Sequence, residues 1–206
     1  IHDIVSDTTD LSGYTKIDLK GHYILPGLIN MHVHLAGSGK PQKKQRDNEK
    51  LVNTIMSTSL TRAIAYRMVA GFAKDELLSG VTTIRTVGGL GDFDTRLRDE
   101  IKAGSKIGPR ILASNQGISV PGELKMPPEM VRAVCEKAHA DGYLVAAHVE
   151  SPEGVRVALE NGVDSIEHGA KLTDEMVKLF KERGAFLCTT ISPALPYALF
   201  DRSITN

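Results

Sequence analysis

From residue 23 onward, short apolar segments alternate with amphipathic ones, and this alternation restricts the fold more tightly than anything else in the 206 residues. "GLINMHVHL", "VTTIRTV", "RILASNQGISV", "YLVAAHVE", "VDSIEHGA" and "AFLCTTIS" read as strands, being rich in β-branched residues and nearly continuous in apolar character. Between them, "DNEKLVNTIMSTSLTRAIAYRMVAGFAKDELLSG" predicts one long helical stretch ending at Gly80, and "DFDTRLRDEIKAG" a short helix ending at Gly104. "PPEMVRAVCEKAHADG" has prolines at a helix start and Gly142 at its end, "SPEGVRVALENG" is helical, and Thr173 N-caps "TDEMVKLFKERG". Strands joined through helices run parallel, and apolar strands without alternation are covered on both faces. The class is therefore α/β with a parallel sheet. A doubly wound sheet and a closed (β/α)8 TIM-type barrel both satisfy it.

The histidines separate these two architectures. The run "YILPGLINMHVHLAGSG" leads an apolar strand into His32 and His34, His148 closes "LVAAHVE", and His168 closes "SIEHG". In a (β/α)8 barrel the active site is built at that end of the strands. Strand side chains alternate faces, so His32 and His34 point the same way and converge at the mouth if that face is the interior. Imidazole is the commonest protein ligand for zinc-like ions. A single histidine closing a strand is more often a hydrogen-bonded core residue, and a lone H-x-H is weak. Repetition at equivalent positions on separate strands is what points to a metal. His139 falls in the last turn of a helix and reads as structural, helped by the helix dipole. His2 and His22 receive no role.

Other motifs carry less. "VGGLGDFD" follows a strand but has neither dinucleotide nor P-loop spacing, so it reads as a plain loop. "KPQKKQR" reads as a short solvated basic loop, and no G-x-S-x-G occurs. Lys and Arg number 25 against 25 Asp and Glu, which gives no electrostatic reason to expect a nucleic-acid partner or an anionic membrane. No apolar run approaches the ~20 residues that span a bilayer. Cys135 and Cys188 lie far apart in apolar segments and read as buried thiols in a reducing cytoplasm. Self-association into a homo-oligomer is compatible with all of this.

"LPGLINMHVHL", "GVTTIRTVGG", "GPRILAS", "VAAHVE" and "NGVDSIEHGA" together resemble the amidohydrolase superfamily. The resemblance is strongest to its imidazolonepropionase-like branch, which includes Xaa-Pro dipeptidase (prolidase) type enzymes, and it runs from about Gly21 to the end. It implies a (β/α)8 barrel over residues 23–206, with residues 1–22 forming part of a small β-sandwich domain. It implies that His32 and His34 are first-strand metal ligands, His148 the fifth-strand ligand and His168 the sixth-strand ligand, binding one or two divalent ions, zinc favoured. Asn30 and Thr86 stand where the family often has Asp; neither position is a ligand.

Two expected residues are absent. The family carries a lysine, usually carboxylated, ending the fourth strand, and a catalytic aspartate ending the eighth. Here "ASNQGISV" passes directly into "PGELKMPPEM", and Lys125 lies among prolines where no strand exists. Strands four and eight are thus not seen, and the expectation is an incomplete view of a longer polypeptide, numbered continuously across missing segments. A break is expected between Val120 and Glu123, at Val120–Pro121 by preference, with a second near Val5–Ser6. The function expected is metal-dependent hydrolysis of an amide or peptide bond in a small substrate such as a dipeptide. The alternatives are a mononuclear cyclic amidase or deaminase, and a barrel kept as a binding module.

Overall fold

The computed structural model describes residues 3–6, 8–37, 48–118 and 126–190. The expected discontinuity at Val120–Glu123, Lys125, His2 and the basic run 40–46 lie outside the described residues. Val5 and Ser6 lie in an exposed segment without regular structure.

Parallel strands β1 (Leu28–Val33), β2 (Val81–Thr86) and β3 (Arg110–Leu112) form one sheet in that order. Strands β4 (Ala146–Val149), β5 (Ser165–His168) and β6 (Phe186–Cys188) form a second, also parallel and in chain order. Helices intervene as the alternation requires: α1 (Asn48–Met56) and α2 (Ser59–Leu78) after β1, α3 (Phe93–Lys102) after β2. In the second half, α4 (Pro128–Ala140) precedes β4, α5 (Pro152–Glu160) follows it, and α6 (Asp174–Arg183) joins β5 to β6.

Two expectations about the elements change. The single long helix after β1 is two, because Thr58 turns extended (φ −132°) and caps α2. Its hydroxyl accepts from the Thr61 amide at 3.1 Å while the Thr61 hydroxyl accepts from the Thr58 amide at 3.3 Å. Hydroxyl side chains that hydrogen-bond the backbone locally compete with continued helix: Thr58 accepts from the Thr61 amide, and Ser57 Oγ donates to the Thr54 carbonyl at 2.8 Å. The third strand stops at Leu112, and Asn115 adopts a left-handed φ of 60°. Thr173 caps α6 as the sequence suggests, accepting from the Met176 amide at 3.3 Å.

Each sheet has its own apolar core on one face. Val33, Leu35, Ile84 and Ile111 pack against Ala65, Tyr66, Val69 and Ala73 of α2 and Phe93 and Leu97 of α3. Ile166 of the second sheet packs with Cys135, Val155, Ala158, Leu159, Val163, Met176 and Phe180. At roughly 1.5–3 kcal/mol per fully buried large apolar side chain, these helix-side clusters supply the main stabilisation. The opposite faces are then free to be polar. Strand alternation places His32 and His34 opposite Val33 and Leu35, Arg85 opposite Ile84, His148 opposite Ala147 and Val149, and Ser165 and Glu167 opposite Ile166.

Residues 3–6 and 8–27 form no helix or strand, and Tyr14, Ile17 and Tyr23 are exposed. Among the described residues, no helix is long and apolar enough to cross a membrane.

Candidate metal centre

The polar faces of the two sheets meet at four imidazoles. The His32 ring centroid lies 5.0 Å from that of His34, 5.1 Å from His148 and 4.8 Å from His168. Ring nitrogens of His32, His34 and His148 all fall within 4.8 Å of one another.

The hydrogen bonds decide which nitrogens are free. His32 Nδ1–H donates to Glu167 Oε2 at 2.8 Å, and His34 Nδ1–H donates to the Gly88 carbonyl at 3.1 Å. The two Nε2 atoms then face each other at 3.2 Å. Burial lowers the His32 pKa from its ordinary value, against the opposing pull of Glu167, so the ring favours its neutral form. The tautomers with both Nδ1 protons committed present Nε2 lone pairs to each other, which is not a hydrogen bond. Nitrogens that share a tetrahedral ion at about 2.0–2.1 Å lie roughly 3.3 Å apart, so this pair fits a divalent cation.

On the second sheet, His148 Nε2–H donates to the Val87 carbonyl at 3.1 Å, leaving Nδ1 at 2.7 Å from His168 Nε2. His168 Nδ1 is held by Thr190 Oγ1 at 2.6 Å. Burial, then the neighbouring His148, lowers the His168 pKa. Strand parity alone would put His168 on the Ile166 face, towards the helices. Instead His168 takes φ 70°, and the Gly169 amide donates back to the Glu167 carbonyl at 2.9 Å. This tight turn is rare and strained for a residue with a side chain, and it brings the ring to the other imidazoles.

Beneath the histidines, Glu167 is fully buried. Its Oε1 accepts from Ser165 Oγ at 2.6 Å and from Arg85 Nη2, while Oε2 takes His32. Burial alone would raise its pKa, but Ser165, His32 and Arg85 outweigh that and hold the carboxyl below its ordinary value. Cys188 also approaches Glu167, making a second cluster with His32. That cluster is a poor cation site, because the Arg85 guanidinium already occupies the carboxylate and burial raises the thiol pKa. Farther out, Asp94 at the start of α3 is buried, neither carboxylate oxygen has a hydrogen-bond partner among the described residues, and burial raises its pKa.

All four histidines singled out from the sequence therefore come together. His139 lies elsewhere, with Nε2 at 2.8 Å from Asp164 Oδ2, and His22 is exposed. Glu167 and Arg85 were not anticipated; the available signal was a pair of opposite charges, each inside an otherwise apolar strand. The glycine-rich loop is more than a connector, since the consecutive Val87 and Gly88 carbonyls orient His148 and His34.

Comparison with known proteins adds the following. The model of the amidohydrolase family matches residues 23–126. An uncharacterized protein of Mycobacterium tuberculosis is 25% identical over 195 residues, covering 83% of this chain and 51% of that protein. The ochratoxinase of Aspergillus niger is 28% identical over 107 residues, covering 50% of this chain and 22% of the enzyme. Among solved structures, a Bifidobacterium longum protein assigned as a prolidase is 31% identical with a TM-score of 0.64, covering 92% of this chain and 55% of that one. The chain thus spans about half the length of these first relatives.

Proposed function

The chain belongs to the amidohydrolase family, and from that premise we propose that it is part of a (β/α)8-barrel metal-dependent hydrolase of amide or peptide bonds in small substrates. Within that class we favour a prolidase-like dipeptidase, a reading supported by the likeness to the Bifidobacterium longum protein. The observation that carries the metal reading is the approach of the Nε2 atoms of His32 and His34 to 3.2 Å while the Nδ1 atom of each ring is taken by an oxygen acceptor. His32, His34, His148 and His168 would hold one or two divalent ions, with zinc favoured by the all-imidazole donor set. When bound, such an ion supplies Lewis acidity towards water and towards the scissile carbonyl.

The chain's own residues supply orientation. His32, His34 and His148 each donate one ring N–H to a fixed oxygen, which turns the other nitrogen towards a neighbouring imidazole, where it could serve the centre. A ring committed at both nitrogens cannot also accept a proton from attacking water. The proton acceptor is therefore not one of these three, and the resemblance assigns that role to an aspartate ending an eighth strand. Residues 1–22 we assign to a small β domain beside the barrel, and the two unpaired cysteines are in keeping with a cytoplasmic protein.

Metal analysis of the purified full-length protein tests this reading. About two ions per chain would support a binuclear site, about one a mononuclear cyclic amidase or deaminase. His32→Ala and His34→Ala should each lose bound metal and hydrolysis of Xaa-Pro dipeptides while keeping the far-UV circular dichroism of the parent. Retained metal and activity in both variants would overturn the assignment.

A further inference from the structure

The two oxygens of the Glu167 carboxylate divide their work. Oε1 is held by Arg85 Nη2 and Ser165 Oγ, and Oε2 is left for His32 Nδ1. The remaining contact closes a ring. Arg85 Nε donates to the Met31 carbonyl at 2.7 Å, so the guanidinium that grips the carboxylate also grips the backbone one residue before His32. Both the main chain and the ring of His32 are therefore tied to one ion pair that spans the two sheets, its carboxylate fully buried and its guanidinium largely so.

We propose that Arg85 and Glu167 form a positioning pair that aims His32 Nε2 at the metal centre and raises its basicity as a ligand. The inference rests on the metal reading above. A carboxylate on the far nitrogen of a ligating imidazole fixes the tautomer and strengthens the donor, and losing such a partner costs about 10–100-fold in metal affinity. A buried ion pair has a plainer explanation, namely that it only holds the sheets together. The two roles respond differently to removal of both charges. Replacing a buried pair by apolar residues of similar size is often neutral for stability, whereas removing one partner strands the other charge.

The test compares Glu167→Leu, Arg85→Met and the double variant Arg85→Met/Glu167→Leu in the full-length protein, with Zn²⁺ affinity measured by chelator competition and metal-free stability by urea unfolding. Either single variant should be unstable or fail to fold. The double variant should regain much of that stability yet bind Zn²⁺ about 10–100-fold more weakly than the parent. Arg85→Met/Glu167→Gln, whose amide oxygen can still accept the Nδ1–H, should recover part of the lost affinity. Imidazole ¹⁵N shifts of metal-free protein should show His32 as the Nδ1–H tautomer in the parent and as a tautomer mixture in the Arg85→Met/Glu167→Leu protein. Parent-like Zn²⁺ affinity in that double variant overturns the positioning role and leaves the metal reading standing. A parent protein that takes up no Zn²⁺ overturns both.

Discussion

His34 donates its Nδ1–H to the carbonyl of Gly88 at 3.1 Å, and a β-carbon placed on Gly88 would lie 3.2 Å from that same nitrogen. A side chain on the residue that holds the ring would thus crowd the ring itself. Gly88 also sits at φ 142°, which residues with a β-carbon rarely adopt. Gly88→Ala should therefore displace His34 and weaken Zn²⁺ binding by at least about tenfold, the scale of losing a ligand's outer hydrogen bond. Chelator competition measures this. Unchanged affinity would mean that the loop does not position His34.

The next glycine guards a different group. A β-carbon on Gly89 would meet the carboxylate of Asp94, a buried residue in the first turn of α3, at 2.6–2.8 Å. Overpacking of a tight interior costs typically ~1–3 kcal/mol. Gly89→Ala should lower the urea midpoint by that order with little change in slope. A variant as stable as the parent would show that Asp94 moves freely.

Much of this arrangement was legible in the sequence because strand parity is a strong rule. His32, His34 and His148 alternate with apolar neighbours that go into helix-side cores, and the polar face follows. Parity fails at His168, where a left-handed φ reverses the direction of the side chain; "EHG" hints at it only through the glycine. Glu167 and Arg85 escaped notice because their partner is far away in sequence, and no local pattern shows a pairing across two sheets. The break between α1 and α2 depends on a hydroxyl exchange between Thr58 and Thr61 that apolar periodicity cannot register.

The cysteines offer a check on packing. Cys135 is buried and Cys188 partly so; burial raises both thiol pKa values, with the Asp164 charge adding to it at Cys135 and Glu167 at Cys188. Thiolate is the reactive form, so both should resist a disulfide reagent at neutral pH and react once the protein is unfolded in urea. Fast labelling of Cys188 in the native protein would mean that the Glu167 side of the site is open to solvent.

Acid should destabilise the metal-free protein, and the groups responsible can be separated by sign. His32 and His168 have pKa values lowered from 6.5, so the unfolded chain binds more protons than the native one just below that value. Their contribution is complete above about pH 6.5 and is lost as the pH falls towards the lower native values. Glu167 is lowered from 4.5, so its contribution holds above 4.5 and is lost on further acidification through its native value. Asp94 has the opposite sign. Its pKa is raised from 3.8, so the stability it adds is present below 3.8 and is lost as the pH rises through the native value. Urea unfolding in the presence of a chelator should therefore show stability falling from pH 7.5 to pH 5. Asp94→Asn removes the opposing contribution and should make the decline steeper wherever Asp94 titrates. Stability that stays level or rises on acidification over that range would mean that the imidazoles are not held neutral in the folded protein.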